Sequence, residues 1–514
     1  MKLRTIVKIA ITSSVVLLCS GFALYSFFRL SAAEGQKDFN LYELVPSTTS
    51  AVFVTDDVLE FVAEVDELTC SKNQQYLYVS KLFSYLKQSL YALSEDTPHG
   101  LSRQMNQMLI SFHEPDNERN QVLYCRLGNG DKELVNRFVR KYISSLYPPK
   151  TFIYKGEEII IYPMADGDFL ACYLTSDFMA LSFQKKLIEN VIDAYKSGKS
   201  LADDSTFTGI RAPKKSAAAA TIYTRMQGMM GWTEFDMKMK DDFIYFSGIT
   251  HDADTCFAFI NQLRQQQSVK GFPGEVLPST AFYFSRQGIT DWVSLLSYGN
   301  AQGQSVPART SEVQNRDKEF SRYLMENAGQ DLVACLFQRE DTLQGAAAVL
   351  SLSVADVTEA ERMLRALVNA ASADEGRRNP RITFCYTVNK AYPIYRLPQT
   401  TLFEQLTSFA EPTLDVYAAF YGGRLLLAPD ADALAHYIRQ LDKGEVLNGA
   451  MVYQTGMDHL SDSYHFMLMA DFDHIFQQSE NHVRFVPDFF LRNADFFRHF
   501  TLFVQFACAD GVVY

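Results

Sequence analysis

LACYLTSDFMALSFQKKLIENVIDAYKSGKSL, Leu170 to Leu201, is matched without a gap by VYAAFYGGRLLLAPDADALAHYIRQLDKGEVL, Val416 to Leu447, at an offset of 246 residues. Each stretch reads as two short strands around a polar turn, then an amphipathic helix, then a glycine. Gly198 and Gly444 fall in register as helix C-terminal glycines, Ile192 meets Ile438, and Leu201 meets Leu447. A second pair lies upstream. ELVPSTTSAVFV, Glu43 to Val54, returns as EVLPSTAFYFSR, Glu275 to Arg286, at an offset of 232. In both, a Pro with small polar neighbours leads into a strand.

Between these landmarks the same order of elements recurs. QMLISFHE and QVLYCRLG read as paired strands in the first copy, DLVACLFQ and GAAAVLSLSV in the second. A helix follows each pair: GDKELVNRFVRKYISSL with Asp131 as N-cap, and TEAERMLRALVNA with a capping box from Thr358 to Glu361. Most connections are too short for the crossovers that parallel strands need, so the expected class is α+β with mainly antiparallel sheets and packed helices. The expected domains are residues 41–270 and 271–514, two similar repeats joined through the polar LRQQQSVKGFPGE, Leu263 to Glu275. In FTLFVQFACADGVVY, Asp510–Gly511 predicts a hairpin whose returning strand is short, so the second repeat reads as incomplete at its C-terminal end.

The N-terminus supplies an address. Lys2, Arg4 and Lys8 precede an uncharged run from Ile9 to Phe28 that Arg29 closes. As a helix those residues rise about 30 Å, the thickness of a bilayer's hydrocarbon core. The expectation is a cytoplasmic basic tail at 1–8, a transmembrane anchor at 9–28 and a tether at 29–40, with the bulk of the chain in the periplasm of a bacterial cell. A cleaved signal ending near SAAEG, Ser31 to Gly35, is the competing reading. Lipid attachment at Cys19 fits poorly, because Leu18 stands where a small residue is needed. Seven further cysteines are widely spaced, without a CxxC, and most sit in strand-like runs such as VLYCRL and ITFCYT. They read as buried thiols.

The combination of span, LVPSTTSAVFVTDD and LSFQKKLIENVIDAYKSGKSLADDSTF resembles uncharacterised Bacteroidetes envelope proteins of the family called domain of unknown function 3352. The resemblance covers the first copy, about half of the chain, and implies an envelope location without implying any activity.

The net charge of −12 and the absence of a basic stripe beyond the N-terminus exclude nucleic acid as an expected partner. No catalytic signature is present: no Gly-x-Ser-x-Gly, no phosphate loop ending in Lys-Ser/Thr, no His-Glu-x-x-His. Five of the nine histidines, His459, His465, His474, His482 and His499, gather near the end beside Asp458, Asp462, Asp471 and Asp473. As a strand, YHFMLMADFD puts His465, Asp471 and Asp473 on one face and His474 on the other, a poor arrangement for a metal. Thr48, Thr49 and Thr280 read as turn residues. The expected site list is therefore empty: no catalytic, cofactor or metal residues, and no cofactor. The expected role is a non-enzymatic, membrane-tethered envelope protein binding a protein, lipid or cell-wall partner. An accessory or chaperone subunit for apolar cargo, suggested by 39 Phe and 27 Tyr, and an enzyme with a dispersed site are the alternatives.

Overall fold

The computed structural model describes residues 39–68, 105–113, 119–128, 131–138, 147–164, 167–211, 218–225, 232–240, 243–250, 258–293, 295, 310–339, 346–371, 382–388, 390–398, 400–407, 415–478, 486, 490–491, 494–509 and 512–513. The expected anchor Ile9–Phe28 lies outside them. Among the described residues no helix is long and apolar enough to cross a membrane. The chain divides into two compact units, Met1–Ser247 and Gly248–Tyr514, a division some twenty residues before the joint at 270/271 read from the sequence.

The first unit contains β1 (Ala51–Thr55), α1 (Val58–Glu67), β2 (Met108–Phe112), β3 (Gln121–Arg126), α2 (Asp131–Phe138), β4 (Lys150–Tyr154), β5 (Glu157–Pro163), β6 (Phe169–Leu174), β7 (Phe178–Ser182), α3 (Lys185–Ser197), α4 (Ser205–Ile210), β8 (Ala220–Thr224), β9 (Thr233–Lys240) and β10 (Phe243–Thr250). Its strands lie in the order β10-β9-β8-β1-β2-β3-β7-β6-β5-β4. The side chains alternate between two apolar faces. One face carries Phe53, Ile110, Leu123 and Cys172 and packs with Phe61, Val62 and Val65 of α1. The other carries Val52, Leu109, Val122, Tyr124 and Phe178 and is covered by Leu187, Ile188, Val191 and Ile192 of α3. Fully burying residues of this size contributes about 1.5–3 kcal/mol each. The helix stops at Gly198, whose φ of +62° is costly for any residue with a Cβ.

The second unit contains α5 (Ala258–Arg264), β11 (Val269–Lys270), β12 (Ala281–Gly288), α6 (Ser311–Asn327), β13 (Ala328–Gln338), β14 (Ala346–Val354), α7 (Val357–Ala371), β15 (Ile382–Tyr386), β16 (Ala391–Pro398), α8 (Leu402–Leu406), β17 (Asp415–Tyr421), β18 (Arg424–Ala428), α9 (Ala431–Asp442), α10 (Met451–Met457), β19 (Ser463–Tyr464), β20 (Phe466–Asp471), α11 (Phe472–Phe476), α12 (Ala494–Phe497), β21 (Thr501–Phe506), β22 (Cys508–Ala509) and β23 (Val512–Val513). Its nine-stranded sheet runs β21-β20-β12-β13-β14-β18-β17-β16-β15. Strand for strand, this is the order of the first unit from β9 to β4, and every pairing among the described residues of both sheets is antiparallel.

The registers agree as well as the order. Val54 faces Leu109 and Thr221, while Arg286 faces Val333 and Met467. Tyr124 faces Leu109 and Ala180, while Ser351 faces Val333 and Leu426. Equivalent positions are thus 232 apart in β1/β12, 224 in β2/β13, 227 in β3/β14 and 246 from β7/β18 to β8/β20.

The repeated Pro motif makes the same clasp in both units. Pro46 bridges Ser200 and Pro278 bridges Val446. Leu201 N–H donates to Val45 O at 2.9 Å, and Leu447 N–H to Leu277 O at 2.9 Å. The expectation that the motif opens the first strand needs this amendment: each strand begins only at Ala51 or Ala281, and the Pro segment before it laces onto the chain that leaves the amphipathic helix.

Three local expectations shift. The cap of α7 is Asp356, which accepts from the N–H groups of Thr358 and Glu359 at 2.9 and 3.1 Å, not Thr358. YHFMLMADFD is not one strand, because Asp471 caps α11 and sends Asp473 and His474 into a helix. The turn at Asp510–Gly511 lies outside the described residues, and the strands beside it pair Cys508 with Val513 and Ala509 with Val512. Cys125, Cys172, Cys335, Cys385 and Cys508 are free thiols.

Candidate functional site

Alternation along β12, β13, β14 and β18 explains how the second unit acquires a charged pocket. Phe284, Val333, Val349 and Leu426 belong to the core on the α9 side. Two residues along each strand, on the same face, stand Arg286, Asp331, Ser351 and Arg424. Arg286 Nε donates to Asp331 Oδ2 at 3.1 Å, and Arg424 reaches the same carboxylate at 3.3 and 3.4 Å. Arg424 also donates to the Ser351 hydroxyl at 2.5 Å and the Ser351 carbonyl at 2.9 Å. Arg286 Nη1 donates to Gly271 O at 2.7 Å and to the Tyr464 hydroxyl at 3.2 Å.

The three charges are largely sequestered, with side-chain exposures of 15% for Arg286, 8% for Asp331 and 14% for Arg424. Burial pushes the Asp331 carboxyl upward, but the two guanidinium groups and the Ser353 hydroxyl together outweigh it and hold its pKa below the ordinary value. A cavity of about 160 Å³ opens beside them, lined by Lys270, Arg286, Arg424, Glu275, Asp331 and the 271–276 loop.

The first unit shows what the fold does without these charges. Register places Val54, Gln107, Tyr124 and Phe178 where the second unit has Arg286, Asp331, Ser351 and Arg424. The 232-residue offset puts Phe39 opposite Gly271. Tyr124 and Phe178 are buried, and the Phe39 and Phe178 rings pack at 4.8 Å between centroids, tilted by 34°. Aromatic rings fill in one unit the space that Gly271 and Ser351 leave open in the other.

The histidines weighed from the sequence do not converge. His474 Nδ1 lies 2.9 Å from Asp471 Oδ2, within one helical turn. His465 Nδ1 accepts from Cys508 N–H at 3.1 Å, and burial lowers its pKa. Asp458, His459, Asp462, Asp473 and His499 are exposed, and His482 lies outside the described residues. Among the described residues no three His, Cys, Asp or Glu side chains stand together as metal ligands. Thr48 is exposed, Thr49 is buried and Thr280 Oγ1 bonds Gln440 Oε1 at 3.0 Å, so the threonines share no site.

Ser111 Oγ lies 2.9 Å from His113 Nε2, with the Tyr124 hydroxyl 3.1 Å from the same Ser111 oxygen. Ser111 is wholly buried, so no substrate reaches it in this conformation. The pair has a consequence for stability instead. Burial lowers the His113 pKa to about 4, so the folded state holds a neutral imidazole while the unfolded chain binds a proton below about pH 6.5. Stability is expected to be full above pH 6.5 and to fall by up to about 3 kcal/mol as the pH drops toward 4. Urea melts of the wild type and His113→Gln across that range check this: equal pH slopes would discard it.

Comparison with family models, with curated proteins and with solved structures finds no match for this chain.

Proposed function

We propose that this chain is a non-enzymatic binding protein, tethered to the bacterial inner membrane by Ile9–Phe28, with its bulk in the periplasm and its binding centre in the second unit. The carrying observation is the contrast at register-equivalent positions. A sheet of the same order stands in the first unit with Val54, Tyr124 and Phe178, so stability alone does not call for Arg286, Ser351 and Arg424 there. Buried ion clusters are weak stabilisers compared with well-packed apolar groups, which favours a role in recognition. The matching strand orders and registers support the reading of the two units as products of one duplication. The N-terminal charge bias and the length of the apolar run support the tether.

Protease added to intact spheroplasts is expected to degrade everything beyond Leu30. Protection until lysis would reverse the topology. Affinity capture from crosslinked membranes is expected to yield a partner that is lost when Arg286 and Arg424 are replaced by Val and Phe. Capture unchanged by those replacements would remove the pocket from the binding role.

A second reading, an accessory or chaperone subunit for apolar cargo, is favoured by one feature. The edge strand β15 and the residues after it expose Ile382, Phe384, Tyr386 and, at 94%, Val388. Cargo binding there predicts that Phe384→Ser with Tyr386→Ser abolishes capture while the pocket variants leave it intact.

A further inference from the structure

Resting on the reading of the second unit as the binding unit, we infer that its pocket receives a singly charged oxyanion group, a carboxylate or a phosphodiester. The lining holds three cations, Lys270, Arg286 and Arg424, against two carboxylates, Glu275 and Asp331. One positive charge is left over, in a chain whose net charge is −12. Arg424 spends its donors on Asp331 and Ser351. Arg286 does not: its Nε and Nη1 bond Asp331, Gly271, Lys270 O and Tyr464, while its Nη2 meets no hydrogen-bond partner among the described residues. An oxygen ligand in the cavity that Arg286 lines would give this nitrogen a charge-assisted hydrogen bond. Lys270 is exposed beside the cavity and its ammonium likewise meets no partner among the described residues.

The space is there because of substitution between the units. Gly271 and Ser351 occupy positions that Phe39 and Tyr124 fill in the first unit. The cavity of about 160 Å³ exceeds by far what one water needs. Charge balance limits the ligand. A monoanion neutralises the excess, whereas a dianion would leave a net negative charge in a partly desolvated site. Because a phosphodiester occurs both in soluble compounds and in membrane phospholipids, the test separates these sources.

The full-length chain in neutral detergent is titrated with acetate and with dimethyl phosphate at constant ionic strength, and separately mixed with phosphatidylglycerol and with phosphatidylcholine vesicles. Saturable binding of acetate or dimethyl phosphate is expected, at least tenfold weaker in Lys270→Gln and lost in Arg286→Val. Lys270 is exposed, so its replacement leaves the fold intact even where Arg286→Val does not. Binding confined to phosphatidylglycerol vesicles and weakened by Lys270→Gln supports the inference with a lipid as the source. Binding of none of acetate, dimethyl phosphate and phosphatidylglycerol, or binding unaffected by Lys270→Gln, overturns it. A partner still captured through the pocket in that event would leave the binding-protein reading standing and remove only the anion.

Discussion

Asp331→Ala is expected to destabilise the second unit by about 3–5 kcal/mol, the usual cost of stranding a buried charge when its partner is removed. Here two are stranded, since Arg286 and Arg424 share that carboxylate at 3.1 and 3.3 Å. Replacing the whole group by what the first unit carries at these positions, Arg286→Val, Asp331→Gln, Ser351→Tyr and Arg424→Phe, is expected to cost less than the single change. The aromatic pair would fill the cavity while no unpaired charge remained. Urea denaturation followed by tryptophan fluorescence measures both. A single mutant within 1 kcal/mol of wild type would show the cluster to be well solvated, and a fourfold mutant worse than the single one would break the equivalence of the two units. The sign of the pH effect is fixed by the depressed Asp331 pKa. Its contribution is present above the unfolded carboxyl's pKa of about 3.9 and disappears as acid protonates the folded form.

Asp317→Ala is expected to cost a comparable amount, about 3–5 kcal/mol, for a different reason. The Asp317 carboxylate on α6 is 6% exposed and accepts four hydrogen bonds: from Thr400 Oγ1 at 2.8 Å, Thr401 N–H at 2.8 Å, Thr401 Oγ1 at 2.7 Å and Gln405 Nε2 at 3.2 Å. It ties α6 to the start of α8, and alanine would leave the Thr401 N–H and the Thr400 and Thr401 hydroxyls buried without this acceptor, while Gln405 Nε2 kept only Thr401 Oγ1 at 3.0 Å. Asp317→Asn keeps one acceptor oxygen and is expected to lose about half as much. Thermal unfolding of both variants decides: a loss below 1 kcal/mol for alanine would mean that water replaces the carboxylate.

Much of this architecture was legible in the chain. The two matched stretches carry the 232 and 246 offsets that the bridges Pro46–Ser200 and Pro278–Val446 display in space. Short hairpin connections pointed to antiparallel sheets, and alternating apolar runs to strands with two covered faces. The pocket was half legible. Val54 against Arg286 stands as the last letter of the shorter match, and Phe178 against Arg424 lies inside the longer one, both as apolar-to-charged mismatches within otherwise similar strands. What one dimension hides is that these mismatches meet. Asp331 sits outside both matches, and only the ladder between β12 and β13 brings it to Arg286. The Asp317 tie was invisible for the same reason, because its donors lie more than eighty residues away and carry no motif. The YHFMLMADFD strand was overextended because an Asp that can cap a helix is indistinguishable, by alternation alone, from one on a strand's outer face.

The drifting offset between the two sheets, from 232 to 224, 227 and then 246, has a practical meaning for anyone wishing to modify the molecule. All differences in length fall between paired strands and none within them. The path from the first to the second strand is eight residues longer in the first unit, and the path from the third strand to the hairpin partner of β17 is nineteen longer in the second. The loops between elements in those two stretches, not the strands they also contain, are where a reporter, an epitope or a protease site can be spliced in without disturbing the ladders, whereas the span from Gly198 or Gly444 back to its proline clasp admits no added length.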